Sequence, residues 1–545
     1  MKTIHTTPFL DQRPGTSGLR KKTRVFMQPN YLENFVQSVF NTVREVLGSD
    51  FHKETLIVGG DGRYYNLRAI QTILRMAVAN GFGKVLVGRG GLLSTPAVSA
   101  TIRRRRALGG LVLSASHNPG GIDADFGIKY NVRNGGPAPE AITNRIHAET
   151  LQITKYLTVD HADIDLNHDG ETRIDDTTIV IIDPLTDYTA VMTELFEFDA
   201  LRALFAGGFR LRFDAMNAIT GPYARHIFEE KLEASPGTVI NGKPLEDFGG
   251  HHPDPNLVHA HELVEQMNSA DAPDLGAACD GDGDRNLILG RGFFVTPGDS
   301  LAIIAAHAAS CIPGYAGGLA GVARSMPTST AVDRVAKRLG VQCYETPTGW
   351  KFFGNLMDAG LCTLCGEESF GTGSNHIREK DGLWAVLCWL SILAGTRQSV
   401  SQVVHQHWKQ FGRSYYQRHD YEQLDAAAAT EMIEELRGRL PELIGTSFAS
   451  TRVVNADDFG YTDPVDGSTT TRQGIRILLD DGSRVVSRLS GTGTEGATLR
   501  VYFERYLNDG GEGNIDETLE PLTRATKELL NVRETFGREE PNVIT

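Results

Sequence analysis

Three times along this 545-residue chain an apolar strand runs directly into a polar loop rich in glycine. Residues 111–113 lead to Ser116, residues 277–279 to Asp280, and residues 361–365 to Gly366-Glu367-Glu368-Ser369. Open parallel sheets bind ligands beyond the C-terminal ends of their strands. The recurrence therefore predicts several α/β domains presenting their loops to one cleft. A βαβ unit supports this reading. The apolar run 56–60 is followed by a helical pattern with Ile70, Ile73, Leu74 and Ala77 on one face. Gly81-Phe82-Gly83 ends the helix, and a second strand follows at 84–88. Strands are expected at 209–215 and 276–280 in a second unit, and at 320–323 and 361–365 in a third. The polar, acidic stretch 149–178 reads as an excursion or a domain edge. Beyond about residue 400 the texture changes to a polar, helix-rich run, and then 474–479 and 483–489 alternate like antiparallel strands.

The bulk properties remove several classes of function. A chain this long exceeds one core. A formal charge of −14 provides no global field for nucleic acid or an anionic membrane, so neither is an expected partner. Arg103-Arg104-Arg105-Arg106 reads as the charged end of a surface helix. Six cysteines make no disulfide scaffold. Cys279, Cys311, Cys343, Cys362 and Cys388 sit in or near apolar runs, as buried thiols do. Cys362 and Cys365 have zinc-like spacing but lack a second ligand pair. The first ten residues lack a signal-peptide core, and the apolar run 382–395 is too short to span a bilayer. A protein of the cytoplasm is expected.

The loops carry the chemistry. In Leu113-Ser-Ala-Ser-His-Asn-Pro-Gly-Gly-Ile122 a serine stands where a strand gives way to a forced turn, with a histidine beside it. Asp280-Gly-Asp-Gly-Asp-Arg285 alternates three carboxylates with glycine, a set that suits a hard cation such as Mg²⁺. An EF-hand would need Gly and Glu where Arg285 and Arg291 stand. A serine hydroxyl is a poor nucleophile unaided, but a phosphoserine beside a cation, with Lys129 available, is a phosphoryl donor. The stretch Arg488-Leu-Ser-Gly-Thr-Gly-Thr-Glu-Gly496, with Arg500 following, offers an anion nest. It is no P-loop, because no Lys-Ser/Thr follows the glycines. Gly366-Glu-Glu-Ser369 and Glu345-Thr-Pro-Thr-Gly-Trp-Lys351 offer groups suited to sugar hydroxyls. His376, Arg378 and Lys380 lie behind them as cations for a phosphate. His251-His252, followed by Pro-Asp-Pro-Asn256, reads as a rigid loop.

With these motifs, and with Asp11-Gln-Arg-Pro-Gly-Thr-Ser-Gly-Leu-Arg20, Phe248-Gly-Gly-His-His-Pro-Asp-Pro-Asn256 and Thr346-Pro-Thr-Gly-Trp-Lys-Phe-Phe-Gly354, the chain resembles the α-D-phosphohexomutase superfamily from end to end, and its glucose-specific branch in particular. The one departure in the key loop is Ser114, where the family usually has Thr. The resemblance implies an α/β fold of four domains around a central cleft. Three are mixed α/β sheet domains, at 1–185, 186–303 and 304–402. A C-terminal α+β domain with an antiparallel sheet occupies 403–545. It further implies reversible interconversion of glucose 1-phosphate and glucose 6-phosphate through phosphorylated Ser116 and glucose 1,6-bisphosphate. By the same resemblance Ser116, Asp280, Asp282 and Asp284 hold Mg²⁺, Lys129 acts as general base or acid, and Arg20, His117, Arg285 and His376 stabilise charge. The sugar phosphate would be bound by Thr16, Ser17, Thr348, Gly349, Trp350, Glu367, Ser369, Arg378 and Lys380. Its non-reacting phosphate would be clamped by Arg488, Ser490, Gly491, Thr492, Thr494 and Arg500.

Two rivals share parts of this reading. A mutase for mannose or glucosamine phosphate has the same serine and metal loops, and only the recognition loops argue against it. A non-catalytic structural relative is opposed by the intact Ser116, Lys129, Asp280, Asp282, Asp284 and Arg285. The expected partners are small sugar phosphates. A single chain is expected to act alone, with a dimer as the alternative.

Overall fold

The computed structural model describes residues 1–545 except 16, 49, 491–495 and 539. The first domain is built on a seven-stranded mixed sheet. Thr55–Gly60, Lys84–Leu92, Gly109–Leu113 and Thr177–Ile182 run parallel at its centre. Leu19–Lys22 and Asp125–Val132 complete one edge antiparallel, and Gly170–Ile174 the other. The helix between the first two strands, Asn66–Asn80, buries Ile70, Ile73, Leu74 and Ala77 and stops at Gly81 in the left-handed region (φ 83°). Thr95–Arg105 is capped by Ser94 and places Arg103, Arg104 and Arg105 in its last turn, where cations meet the negative end of the helix. The polar stretch 149–178 forms the domain's edge, and Lys155–Thr158 pairs there with N-terminal Lys2–His5.

The second sheet sets Leu211–Asp214 parallel to Leu275–Cys279 and turns antiparallel at Asn286–Gly290. In the third, Gly321–Ser325 lies parallel to both Gln342–Thr346 and Leu364–Glu367, and Gly371–Ser374 returns antiparallel. The strand expected at 361–365 thus begins three residues later, and the polar Glu367 belongs to it. The C-terminal sheet is antiparallel throughout, with seven strands. One of its long members, Arg413–Leu424, lies in the run read as helix-rich. It escaped the pattern because Ser414, Tyr415, His419, Asp420 and Tyr421 fill its buried positions, with Leu424 at its end the one aliphatic residue among them.

A single apolar body runs through the first three domains, while the C-terminal domain encloses its own. At its centre lies Gly382–Thr396, apolar all round and buried, with Trp384 and Trp389 donating their indole N–H groups to Tyr315 and Ser300 at 2.9 Å each. Among the described residues no single helix is long and apolar enough to cross a membrane. The divisions expected after residues 303 and 402 each cut a continuous helix, Pro297–Cys311 and Val400–Phe411. Four of the six free cysteines are buried, while Cys311 and Cys343 are only half-buried.

The C-terminal domain is joined to the third through buried Glu504. Its carboxylate accepts hydrogen bonds from Thr330 N (2.8 Å), Thr330 Oγ1 (2.7 Å) and Arg484 Nε (2.6 Å). Burial alone would raise its pKa, but Arg484 and the bonds from Thr330 prevail and bring it down to about 2. The folded-state value lies below the unfolded one of 4.5, so this contribution is complete above pH 4.5 and is lost as pH falls toward 2. Glu504→Gln is expected to cost about 3 kcal/mol at neutral pH. The gap from wild type should narrow below pH 4.5, as read from urea midpoints measured between pH 7 and 3.

Candidate active site

Ser116 is buried and held with φ 53° at the turn beyond Gly109–Leu113. A non-glycine residue in the left-handed region is strained, and three contacts hold this one there. Its N–H donates to Ser114 Oγ at 2.7 Å, its carbonyl accepts from Arg63 Nη2 at 2.8 Å, and its own hydroxyl donates to Asp280 Oδ2 at 2.7 Å. Ser114, the departure from the usual Thr, thus keeps the hydroxyl that the turn uses. Arg63 is itself fixed by Asp61 in a fully buried ion pair of 2.9 Å. His117 Nδ1 stands 3.4 Å from the serine oxygen. Burial, then Arg285 and Arg20, hold the pKa of that imidazole well below its usual value.

Asp280, Asp282 and Asp284 are buried, and one ligand atom from each lies within 4.8 Å of the others. Oδ1 of Asp280 accepts from the backbone N–H groups of Asp284 and Arg285 at 2.9 and 3.1 Å, which folds the loop around it. Oδ2 of Asp282 accepts from Thr95 Oγ1 (2.6 Å) and Lys129 Nζ (3.1 Å), while Lys380 Nζ pairs with Asp284 Oδ2 at 3.3 Å. Burial and then Asp284 push Asp280 well above the usual carboxylate range. Burial would do the same to Asp282, but the Lys129 ammonium, the Thr95 hydroxyl and Lys380 together outweigh it and hold that group low. Oδ1 of Asp282 and Oδ1 of Asp284 are buried with no partner among the described residues. A buried, unsatisfied carboxylate oxygen is costly. Two of them beside a third acid, in an all-oxygen set, fit a hard divalent cation.

Arg20 and Arg285 complete the positive wall. Burial lowers the pKa of Arg20 against the pull of Asp282, and Arg285 pairs with Asp254 at 3.5 Å. From the third sheet Glu367 is buried and its Oε1 accepts from Gly349 N at 3.0 Å, which ties the Thr348-Gly349 turn to the acid. Ser369 is half-buried on the same loop, and Ser17 is half-buried near Lys129. From the C-terminal sheet Arg488 Nη1 donates to Thr348 Oγ1 at 2.7 Å. Arg500 lies 3.6 Å from Asp420, and Ser490 ends the strand on the loop's near side. Thr16, Gly491, Thr492 and Thr494 lie outside the described residues.

Three expected residues do not join this cluster. His376 is 1% exposed, stacked on Trp384, and bonded to Ser374 Oγ (2.6 Å) and Asp381 Oδ2 (3.0 Å). Its polarity is spent inside the domain. The Arg378 guanidinium is closed by Asp358 and the carbonyls of Asn375 and Ile377. Trp350 is buried edge-on against Phe353 in the core of the third domain. Conversely, the Asp61–Arg63 pair, Thr95 and Glu379 were not read from the sequence. Only Asp61-Gly62-Arg63, beyond its own strand end, carried a signal of the kind that marked the other loops.

A buried serine against three clustered acids, with Arg488 reaching the third domain from the C-terminal sheet, fits a four-domain enzyme of phosphoryl transfer. Models of the phosphoglucomutase/phosphomannomutase α/β/α domains I, II and III match residues 11–157, 186–292 and 297–411. The phosphoglucomutase-1 C-terminal domain model matches 413–542. A phosphoglucomutase of Rhizobium radiobacter is 58% identical over 547 residues, covering 100% of both chains. A cytoplasmic phosphoglucomutase of Populus tremula is 52% identical, covering 99% of each. The solved open form of the exocytosis-sensitive phosphoprotein pp63/parafusin, a phosphoglucomutase from Paramecium, superposes with a TM-score of 0.93 at 50% identity, covering 100% of this chain and 99% of that one. The chain belongs to the phosphoglucomutase/phosphomannomutase family.

Gly281 lies where a Cβ would be driven into the Ser116 carbonyl oxygen. Gly281→Ala must therefore separate the serine turn from the metal loop. A fall in kcat of at least tenfold is expected with the thermal melting point nearly unchanged, measured by steady-state kinetics and calorimetry.

Proposed function

We propose that this chain is a phosphoglucomutase that interconverts glucose 1-phosphate and glucose 6-phosphate through phosphorylated Ser116 and glucose 1,6-bisphosphate. The observation that carries the reading is the 2.7 Å hydrogen bond from Ser116 Oγ to Asp280, one of the three acids that would hold the cation. Asp280, Asp282 and Asp284, with the phosphoserine, would hold Mg²⁺. When bound, that ion neutralises charge on the transferring phosphoryl group.

In the first half-reaction the P–O bond to Ser116 Oγ breaks and a P–O bond to the free sugar hydroxyl forms. The proton given up by the sugar ends on Ser116 Oγ, and Lys129 Nζ exchanges it at the sugar. Arg20 and Arg285 face the charge that develops, beside a neutral His117. Glu367 and Ser369 read sugar hydroxyls next to the Thr348-Gly349 turn. Arg488, Ser490 and Arg500, with Thr492 and Thr494, clamp the other phosphate, and Lys380 and Ser17 line the approach. The bisphosphate turns round in the cleft, and the steps run in reverse from its other phosphate. A cytoplasmic enzyme acting on free sugar phosphates agrees with the free thiols and with the poplar relative's name.

Ser116→Ala is expected to reduce mutase turnover by more than 10³-fold, and intact-mass measurement should show one phosphate on wild type and none on the variant. Equal turnover would end the phosphoserine mechanism. Chelation of divalent cations is expected to abolish activity reversibly, with Mg²⁺ restoring it. Glucose 1-phosphate is expected to be turned over faster than mannose 1-phosphate, and the opposite order would transfer the reading to another hexose.

A further inference from the structure

One carboxylate, Asp282, bonds Lys129 directly, and a second, Glu379, is bonded to Asn131 two residues along the same strand; the cation site accounts for the first. Asp282 Oδ2, its hydrogen-bonding partner, is shared with Thr95, and the other oxygen of Asp282 is free for a cation. Both demands weaken the hold of Asp282 on the ammonium. A buried ammonium without an adequate counter-charge is strongly unfavourable, so a second anion nearby favours it. Glu379 of the third domain supplies one. It is 2% exposed, and its Oε1 accepts a hydrogen bond from Asn131 Nδ2 at 2.9 Å. Asn131 is fully buried, and the same amide nitrogen also donates to Gly135 O at 3.0 Å.

Lys129 and Asn131 are two residues apart on Asp125–Val132, so their side chains share one face of the sheet. The electrostatics agree from both sides. After Asp282, Glu379 is the carboxylate that acts most strongly on Lys129, and Lys129 is the cation that most opposes the rise of Glu379. Burial pushes Glu379 up to about 7 in spite of that cation. The next residue, Lys380, pairs with Asp284. Two successive residues of one domain therefore bring a carboxyl group to the strand that carries the lysine and a positive charge to Asp284.

We propose that Glu379 is the positioning residue for Lys129, holding its ammonium with a counter-charge that the cation site does not share. The proposal rests on the role given to Lys129 above. It makes the environment of that lysine complete only when the first and third domains are packed together.

The test is a double-mutant cycle of Glu379→Gln and Lys129→Met, read as kcat, KM for glucose 1-phosphate and the single-turnover rate of phosphate transfer from Ser116, in saturating Mg²⁺. Gln keeps an acceptor for Asn131 and removes only the charge. Expected is a tenfold or greater fall in kcat for E379Q, with KM within twofold of wild type and no further loss, within twofold, when E379Q is added to K129M. The same factor of loss in both backgrounds, or an E379Q enzyme within twofold of wild type, would overturn the proposal. Asn131→Leu, which releases Glu379 without discharging it, is a second variant should E379Q not fold. It is expected to lower kcat at least threefold at unchanged KM, and wild-type kcat there would likewise overturn it. A fully active K129M would instead remove the role of the lysine itself, which separates the two failures.

Discussion

Three aspartates whose ligand atoms lie within 4.8 Å of one another, all buried, repel by several kcal/mol unless positive charge surrounds them. The rest of the cleft is organised around that repulsion. Lys129 and Lys380 each take one acid directly, Arg20 and Arg285 act from further out, and backbone N–H groups of the loop neutralise part of Asp280. The balance stays incomplete on the two oxygens that have no partner, and this defines the space for a cation. The Ser116 hydroxyl enters the same field by donating to Asp280.

The groups that meet here come from different sheets, and their mutual distances depend on how rigidly those sheets are joined. The shared apolar core of the first three domains provides that rigidity, because close-packed interiors transmit displacement rather than absorb it. Specific links reinforce it. Thr95 of the first domain reaches Asp282 of the second, Tyr188 of the second reaches Asp381 of the third at 2.7 Å, and Asn131 of the first reaches Glu379 of the third. A serine and a metal loop 164 residues apart in sequence can thus be held at hydrogen-bond distance.

The loops themselves were legible in the sequence, because glycine at fixed offsets and polar residues after an apolar strand leave a local signature. Ser116, the three aspartates and Glu367 fall where that signature placed them. The buried ends of polar side chains were not legible. His376, Arg378 and Trp350 carry residue types suited to a ligand, yet Asp381 and Asp358 take up the first two and Trp350 packs edge-on against Phe353 in the core. Glu379 failed to stand out for the converse reason. In Arg-Glu-Lys-Asp it looks like one acid in a charged turn, and its neighbour Asn131 lies 248 positions away. The strand Arg413–Leu424 was missed because its buried residues are mostly serine, tyrosine, histidine and aspartate, which give no apolar alternation.

The two ends of the cleft differ in the way a turning intermediate requires. At the serine end the contacts are buried, several-fold and charged, so the geometry there is fixed before a substrate arrives. At the far end the C-terminal domain has its own core, and Arg488 meets the third domain through a neutral hydroxyl, Thr348. A hydrogen bond of that kind is worth about 1 kcal/mol, far less than a charge-assisted pair between guanidinium and phosphate. On the role proposed for Arg488, a phosphate dianion would displace Thr348 readily and still be released when the sugar turns. Meanwhile Glu504 and Arg484 keep the domain attached at its base. Strong fixation where bonds break and weak, exchangeable contact where a phosphate must let go are both needed for one intermediate to present each of its ends to the same serine.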